Sequence, residues 1–157
     1  MIRLQRILVP TDFSDSARQA LTYGTSFARE YRAELLLLHV VEIVPVGYAT
    51  DLFPAPMAAV FQEVSAYARA EIAKLAAVAR DRGVSTRELV AQGKPSAEIV
   101  RAARNEAVDM IVLGTHGKGV LDKALFGSTT ERVVRRAPCP VLTCRLKEHE
   151  FVDDTDP

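Results

Sequence analysis

Short apolar runs alternate along the chain with longer stretches of helical periodicity. Ile7, Leu8 and Val9 form the first run, closed by Pro10, which predicts a buried strand followed by a turn. Thr11, Asp12 and Ser14 then supply hydrogen-bonding groups where a helix should begin, and Ala17, Ala20, Leu21, Gly24, Phe27 and Ala28 recur close to helical spacing. The next strand spans Glu34 to Val41. Its unbroken Leu35-Leu36-Leu37-Leu38 core suits a central parallel strand covered on both faces. Glu42 to Met57, with Pro45, Gly47, Pro54 and Pro56, reads as a long irregular loop. A second helix follows, with Val60, Phe61, Val64, Ala68, Ile72, Leu75, Ala76 and Ala79 on its expected inner face and Gly83 as its stop.

Val84 to Val90 alternates polar and apolar positions without a strong core face, the pattern of an edge strand. Gly93 and Pro95 mark a turn, and Ile99, Val100, Ala102 and Ala103 a short helix. Met110 to Leu113 form another buried strand ending at Gly114. Ser128 opens a helix carrying Val133 and Val134, and Ser128 with Glu131 fits a capping box. Cys139 to Leu146, interrupted near its start by Pro140, is the last strand. Strands alternating with helices in this way predict a doubly wound α/β fold, with right-handed crossovers and functional loops gathered at the carboxyl edge of a parallel sheet. One domain over residues 1–147 is expected, followed by a mobile acidic tail, 148–157, containing Glu148, Glu150, Asp153, Asp154 and Asp156.

Composition narrows the partners. The 157 residues include no Trp, so small and branched aliphatics must fill the core. Twenty basic and twenty acidic side chains cancel, which leaves no global field to attract nucleic acid or an anionic membrane, although a local phosphate site remains open. The N-terminal segment lacks a signal-peptide pattern, and no apolar run approaches the roughly 18 residues of a membrane span, so a cytoplasmic protein is expected. Cys139 and Cys144 do not make a disulfide framework and read as reduced packing residues.

The segment richest in chemistry is Gly114-Thr115-His116-Gly117, followed after nine residues by Gly127-Ser128-Thr129. Gly114 and Gly117 would permit a tight turn and close backbone approach to a ligand. Amides and hydroxyls of Ser128 and Thr129 would face an anion from a helix start. The alternative is a crossover whose glycines only solve turn geometry. The P-loop pattern fails, because Val112 replaces its first glycine and Gly119 follows Lys118 where Ser or Thr belongs. The dinucleotide pattern fails at Asp122.

Pro10, Thr11 and Asp12 lie at the same sheet edge. The Asp12 carboxylate suits ribose hydroxyls or a metal near phosphates, and equally suits helix capping. Val40 or Val41 would line an adenine pocket, or simply belong to the core. His116 is the one histidine in the glycine segment, where a phosphate contact or proton transfer competes with a plain exposed loop role. His39 reads as a core or edge residue. Lys118 and Lys123 are weaker candidates for closing over a polyphosphate. No metal-ligand spacing and no hydrolytic motif is present, so no catalytic residue and no protein metal ligand is assigned.

Taken together, Ile7-Leu8-Val9-Pro10-Thr11-Asp12-Phe13-Ser14, Asp109 to Gly114, the Gly114/Gly117/Gly127/Ser128 pattern and Ala137-Pro138-Cys139-Pro140-Val141-Leu142 resemble the universal stress protein family over about residues 2 to 146. The resemblance implies a five-stranded parallel sheet of order 3-2-1-4-5 and, through the retained glycine pattern, the ATP-binding type. It implies Asp12 as a nucleotide contact to ribose, Val41 or Val40 beside adenine, and Gly114, Gly117, Gly127, Ser128 and Thr129 around the phosphates. ATP is expected with Mg2+ because triphosphates usually carry the ion, although no protein ligand set demands it. It further implies a homodimer through the last strand, Val141 to Leu146, whose apolar edge would otherwise be unpaired. The expected function is an ATP-binding stress-response or regulatory protein. The alternatives are a slow ATPase or phosphotransfer protein, a site for AMP or another small ligand, and a nucleotide-independent scaffold.

Overall fold

The computed structural model describes residues 1–42, 54–115 and 127–146, with side chains from residue 59 onward in the second stretch. The expected loop through residues 43–53, the connection 116–126 with His116, Gly117, Lys118, Asp122 and Lys123, and the tail 148–157 lie outside the described residues. Five strands are present: β1 (Arg6–Pro10), β2 (Glu34–Val41), β3 (Thr86–Gln92), β4 (Met110–Gly114) and β5 (Val141–Cys144). They alternate with α1 (Asp15–Tyr31), α2 (Pro54–Asp81), α3 (Pro95–Asn105) and α4 (Ser128–Arg136). All strand pairs are parallel, in the order β3-β2-β1-β4-β5.

The four leucines of β2 explain the layering. Leu35 and Leu37 join Ile7 and Val9 beneath α1 and α2, whereas Leu36 and Leu38 join Leu8 and Ile111 beneath α3 and α4. Successive side chains of a strand point to opposite faces, so a run buried at every position needs helices on both sides. β1 keeps register with β2 from Arg6↔Glu34 to Pro10↔Leu38, but its pairing with β4 covers only Ile7↔Met110 and Leu8↔Ile111. The two central strands therefore part before their carboxyl ends.

Several boundaries differ from the sequence expectation. α2 starts at Pro54, inside the expected loop, because a proline costs little in a first turn whose amides lack acceptors anyway. Val60 and Val64, expected inside, are 51% and 44% exposed. At 28 residues α2 is about 42 Å long, against about 26 Å for an eight-residue strand. Its N-terminal half thus extends past the sheet edge, and Ala68, Ile72, Ala76 and Ala79 form its buried face. Gly83, at φ +78°, follows the helix as expected. Val84 donates its N–H to the Ala79 carbonyl (3.1 Å) and belongs to the helix exit, so β3 begins at Thr86. Val134 is exposed while Val133 is buried, since adjacent helical positions cannot share a face. β5 is shorter than the expected Cys139–Leu146: Cys139 and Pro140 precede it, and Arg145 and Leu146 follow it.

The amino edge of the sheet is tied by charge. The Asp109 carboxylate accepts from the N–H groups of Gln5 (2.7 Å) and Arg6 (2.9 Å), and Arg87 bridges Glu34 (3.2 Å) and Glu106 (2.6 Å). The hydrogen bond from Arg87 holds the Glu106 carboxyl below its ordinary value, against an opposing effect of partial burial. A depressed carboxyl binds fewer protons than in the unfolded chain. Its stabilisation is therefore present above about pH 4.5 and is lost as pH falls through the folded value. Both partners are partly exposed, so Glu106→Gln should cost less than about 1 kcal/mol in urea unfolding at pH 7. The difference from the parent should close in acid. An equal difference at neutral and acid pH would contradict this linkage.

Candidate functional site

A cleft of about 610 Å³ opens at the carboxyl edge, where β1 and β4 separate. Three structural units build its walls. The first is the β1–α1 turn. Thr11 Oγ1 accepts from the Phe13 N–H (3.0 Å), Asp12 Oδ1 accepts from the Ser14 N–H (3.0 Å), and Ser14 caps α1 by accepting from the Ala17 N–H (3.3 Å). Asp12 thus takes part in the helix start while also lining the cleft. The second unit is the end of β2, with Leu38, His39, Val40 and Val41, faced by Pro95 and Ile99 of α3.

The third unit is the start of α4. Gly127 is the N-cap, with φ −67° and ψ 156°, and no side chain caps the helix. The capping box expected from Ser128 and Glu131 is therefore absent. Ser128 is already the first helical residue, and the Glu131 N–H donates to the Gly127 carbonyl (3.0 Å). Helix geometry leaves the amides of Ser128, Thr129 and Thr130 without intrahelical acceptors, and the helix dipole makes this end electropositive. The turn is fastened to β4: the Thr130 hydroxyl donates to the Gly114 carbonyl (2.9 Å) and the Gly127 N–H to the Thr115 carbonyl (2.8 Å).

Of the residues singled out in the sequence, Pro10, Thr11, Asp12, Val40, Val41, Gly114, Gly127, Ser128 and Thr129 all line the cleft. His116 and Gly117 lie outside the described residues. Thr115 is buried behind the cleft wall, its N–H donating to the Cys144 carbonyl (2.9 Å). Gly114 lines the cleft and also serves packing. A Cβ there would lie 2.7 Å from the Ser16 backbone carbonyl, so glycine lets β4 end against the first turn of α1.

Sequence reasoning missed His39, Phe13, Ile99 and Tyr67 as cleft residues. His39 carried a signal, as a polar interruption in an otherwise apolar strand, two residues before its end. Tyr67 lies on the helix that extends past the sheet edge, a projection that periodicity alone does not show. The cysteines lie away from the cleft: Cys139 packs against the Leu36 cluster and Cys144 within the Leu35 cluster, and neither forms a disulfide. Burial pushes the Cys139 thiol up, with the Asp109 carboxylate adding to the effect, which disfavours the reactive thiolate. Among the described residues no group of three or more His, Cys, Asp or Glu side chains could hold a metal ion, and no helix is long and apolar enough to cross a membrane.

The geometry defines a doubly wound α/β domain with a ligand-sized crevice at its topological switch point. Comparison with known proteins agrees and goes further. The sequence model of the universal stress protein family matches residues 3–145. Universal stress protein MJ0531 from Methanocaldococcus jannaschii is 33% identical over 93% of this chain and 85% of its own length. MJ0577 from the same organism is 31% identical over 93% of this chain and 98% of its own. The solved structure of MJ0577 superposes with a TM-score of 0.82, covering 94% of this chain and all of that one. A universal stress protein solved in complex with cAMP is 25% identical, with a TM-score of 0.62, over 91% of this chain and 98% of its own. This chain belongs to the universal stress protein family.

Proposed function

We propose that the protein is an ATP-binding stress-response or regulatory protein, with the nucleotide in the cleft between the β1–α1 turn, the end of β2 and the start of α4. The observation that carries this reading is the convergence of three complementary surfaces in one crevice. Leu38, Val40, Pro95 and Ile99 offer an apolar wall for a base. Asp12 supplies an acceptor for ribose hydroxyls. Ser128 and Thr129 supply amides and hydroxyls for phosphates, a helix-start arrangement that binds anions without a lysine cluster. The cleft volume lies within the range of about 300–1,000 Å³ common for small-molecule sites. The relative in complex with cAMP supports an adenine nucleotide as the ligand class.

In this reading the nucleotide enters as its magnesium complex, with the ion carried by the phosphates, and it regulates by binding one state of the protein more tightly than another. A cytoplasmic location is part of the proposal. So is a homodimer through β5, extended toward Leu146. The carbonyls of Pro140 and Cys144 accept from Ile111 of β4 and from Thr115, the residue that follows it. By strand alternation, the backbone groups of Val141 and Thr143 face the open edge.

Calorimetry with MgATP on nucleotide-stripped protein should show saturable binding. Asp12→Ala and Gly127→Val should each weaken it at least about tenfold, equivalent to about 1.4 kcal/mol, without unfolding the domain. A folded parent that binds neither ATP, AMP nor cAMP would remove the nucleotide reading. Thr143→Pro removes an outward-facing N–H while sparing the bonds to β4. It should weaken self-association at least about tenfold in sedimentation equilibrium. An unchanged dimer would place the contact elsewhere.

A further inference from the structure

We propose that His39 is a positioning residue for this site: from β2, it fixes the β1–α1 turn that carries Asp12. Thr11 is gripped by β2 at both of its backbone ends. Its N–H donates to the Leu38 carbonyl (2.8 Å), and its carbonyl oxygen lies 2.8 Å from His39 Nδ1. A carbonyl oxygen only accepts, so Nδ1 carries the proton, and neutral His39 is the Nδ1–H tautomer. The same imidazole stacks on Phe13, with ring centroids 4.5 Å apart and planes inclined by 28°.

Phe13 has φ +64°, a left-handed conformation that strains a bulky side chain and persists only where its surroundings hold it. Asp12 therefore sits between two residues that each contact one ring from the neighbouring strand. The elements on either side have independent supports. α1 has its Ser14 cap and its buried Ala17, Ala20 and Leu21, and β2 has its leucines. Loss of the imidazole would thus release the turn while leaving the sheet in place.

The binding arm of the test rests on the nucleotide reading above; a second arm does not. His39→Ala should shift the backbone amide resonances of Phe13 and Ser14 and weaken MgATP about tenfold. His39→Asn returns an N–H near the Nδ1 position and should hold affinity within about threefold of the parent, whereas His39→Gln, whose donor lies at the Nε2 position, should not. With Asp12→Ala already present, His39→Ala should add less than about twofold, because the two act as one unit. Binding of 2′,3′-dideoxyATP, which lacks the hydroxyls assigned to Asp12, should be nearly insensitive to His39→Ala.

Full MgATP affinity in His39→Ala, additive losses in the double variant, or unmoved Phe13 and Ser14 amides would each overturn the proposal. If the parent binds no nucleotide, the nucleotide reading falls and the amide resonances alone decide the role of His39. Should His39→Ala not fold, the contrast between His39→Asn and His39→Gln makes the same decision.

Discussion

β1 lies between β2 and β4, and that placement governs both the core and the cleft. From the end of β1 the chain crosses to α1, over the face that buries Leu35 and Leu37. From the end of β4 it leads to α4, over the opposite face with Leu36 and Leu38. Two adjacent strands whose continuations depart to opposite sides leave a gap above their ends, which is why ligands in open α/β sheets collect there. The early end of β1–β4 pairing at Leu8↔Ile111 makes this divergence visible in the backbone. Without the apolar register that sets β1 beside both neighbours, the cleft would have no floor.

The two edges of the sheet divide their labour. At the amino edge, Arg6, Arg87, Glu34, Glu106 and Asp109 satisfy one another and the strand starts. The carboxyl edge carries fixed dipoles: the first-turn amides of α4, held in place by bonds to Gly114 and Thr115, and the tightly bonded turn at Asp12. A chain with no net charge can hold an anion by such pre-oriented groups, because they need little reorganisation when the ligand arrives.

Much of this was legible in the sequence because burial leaves periodic traces. The unbroken leucines gave β2 its full span, and the alternation of strands and helices gave the fold class. Residues Pro10 to Asp12, Val40, Val41, Gly114 and Gly127 to Thr129 could be placed at one edge because parallel strands bring their carboxyl ends together. What escaped depended on three-dimensional fit. The packing of Gly114 against Ser16, nearly a hundred residues away in the chain, leaves no trace in the local pattern. Ser128 resembled a cap, but Gly127 already occupies that position. The exposure of Val60 and Val64 follows from how far α2 outruns the strands. The sequence marks His39 only as a core or edge residue, because only the folded turn brings the Thr11 carbonyl and the Phe13 ring against it.

The most direct test of the central claim is a titration of backbone amide resonances with MgATP. A nucleotide held at the switch point should shift Asp12, Val40, Val41, Ser128 and Thr129 together, in one saturable process, while Arg87, Glu106 and Asp109 at the opposite edge stay still. Shifts confined to the amino edge, or none at saturating nucleotide, would contradict the assignment of this cleft.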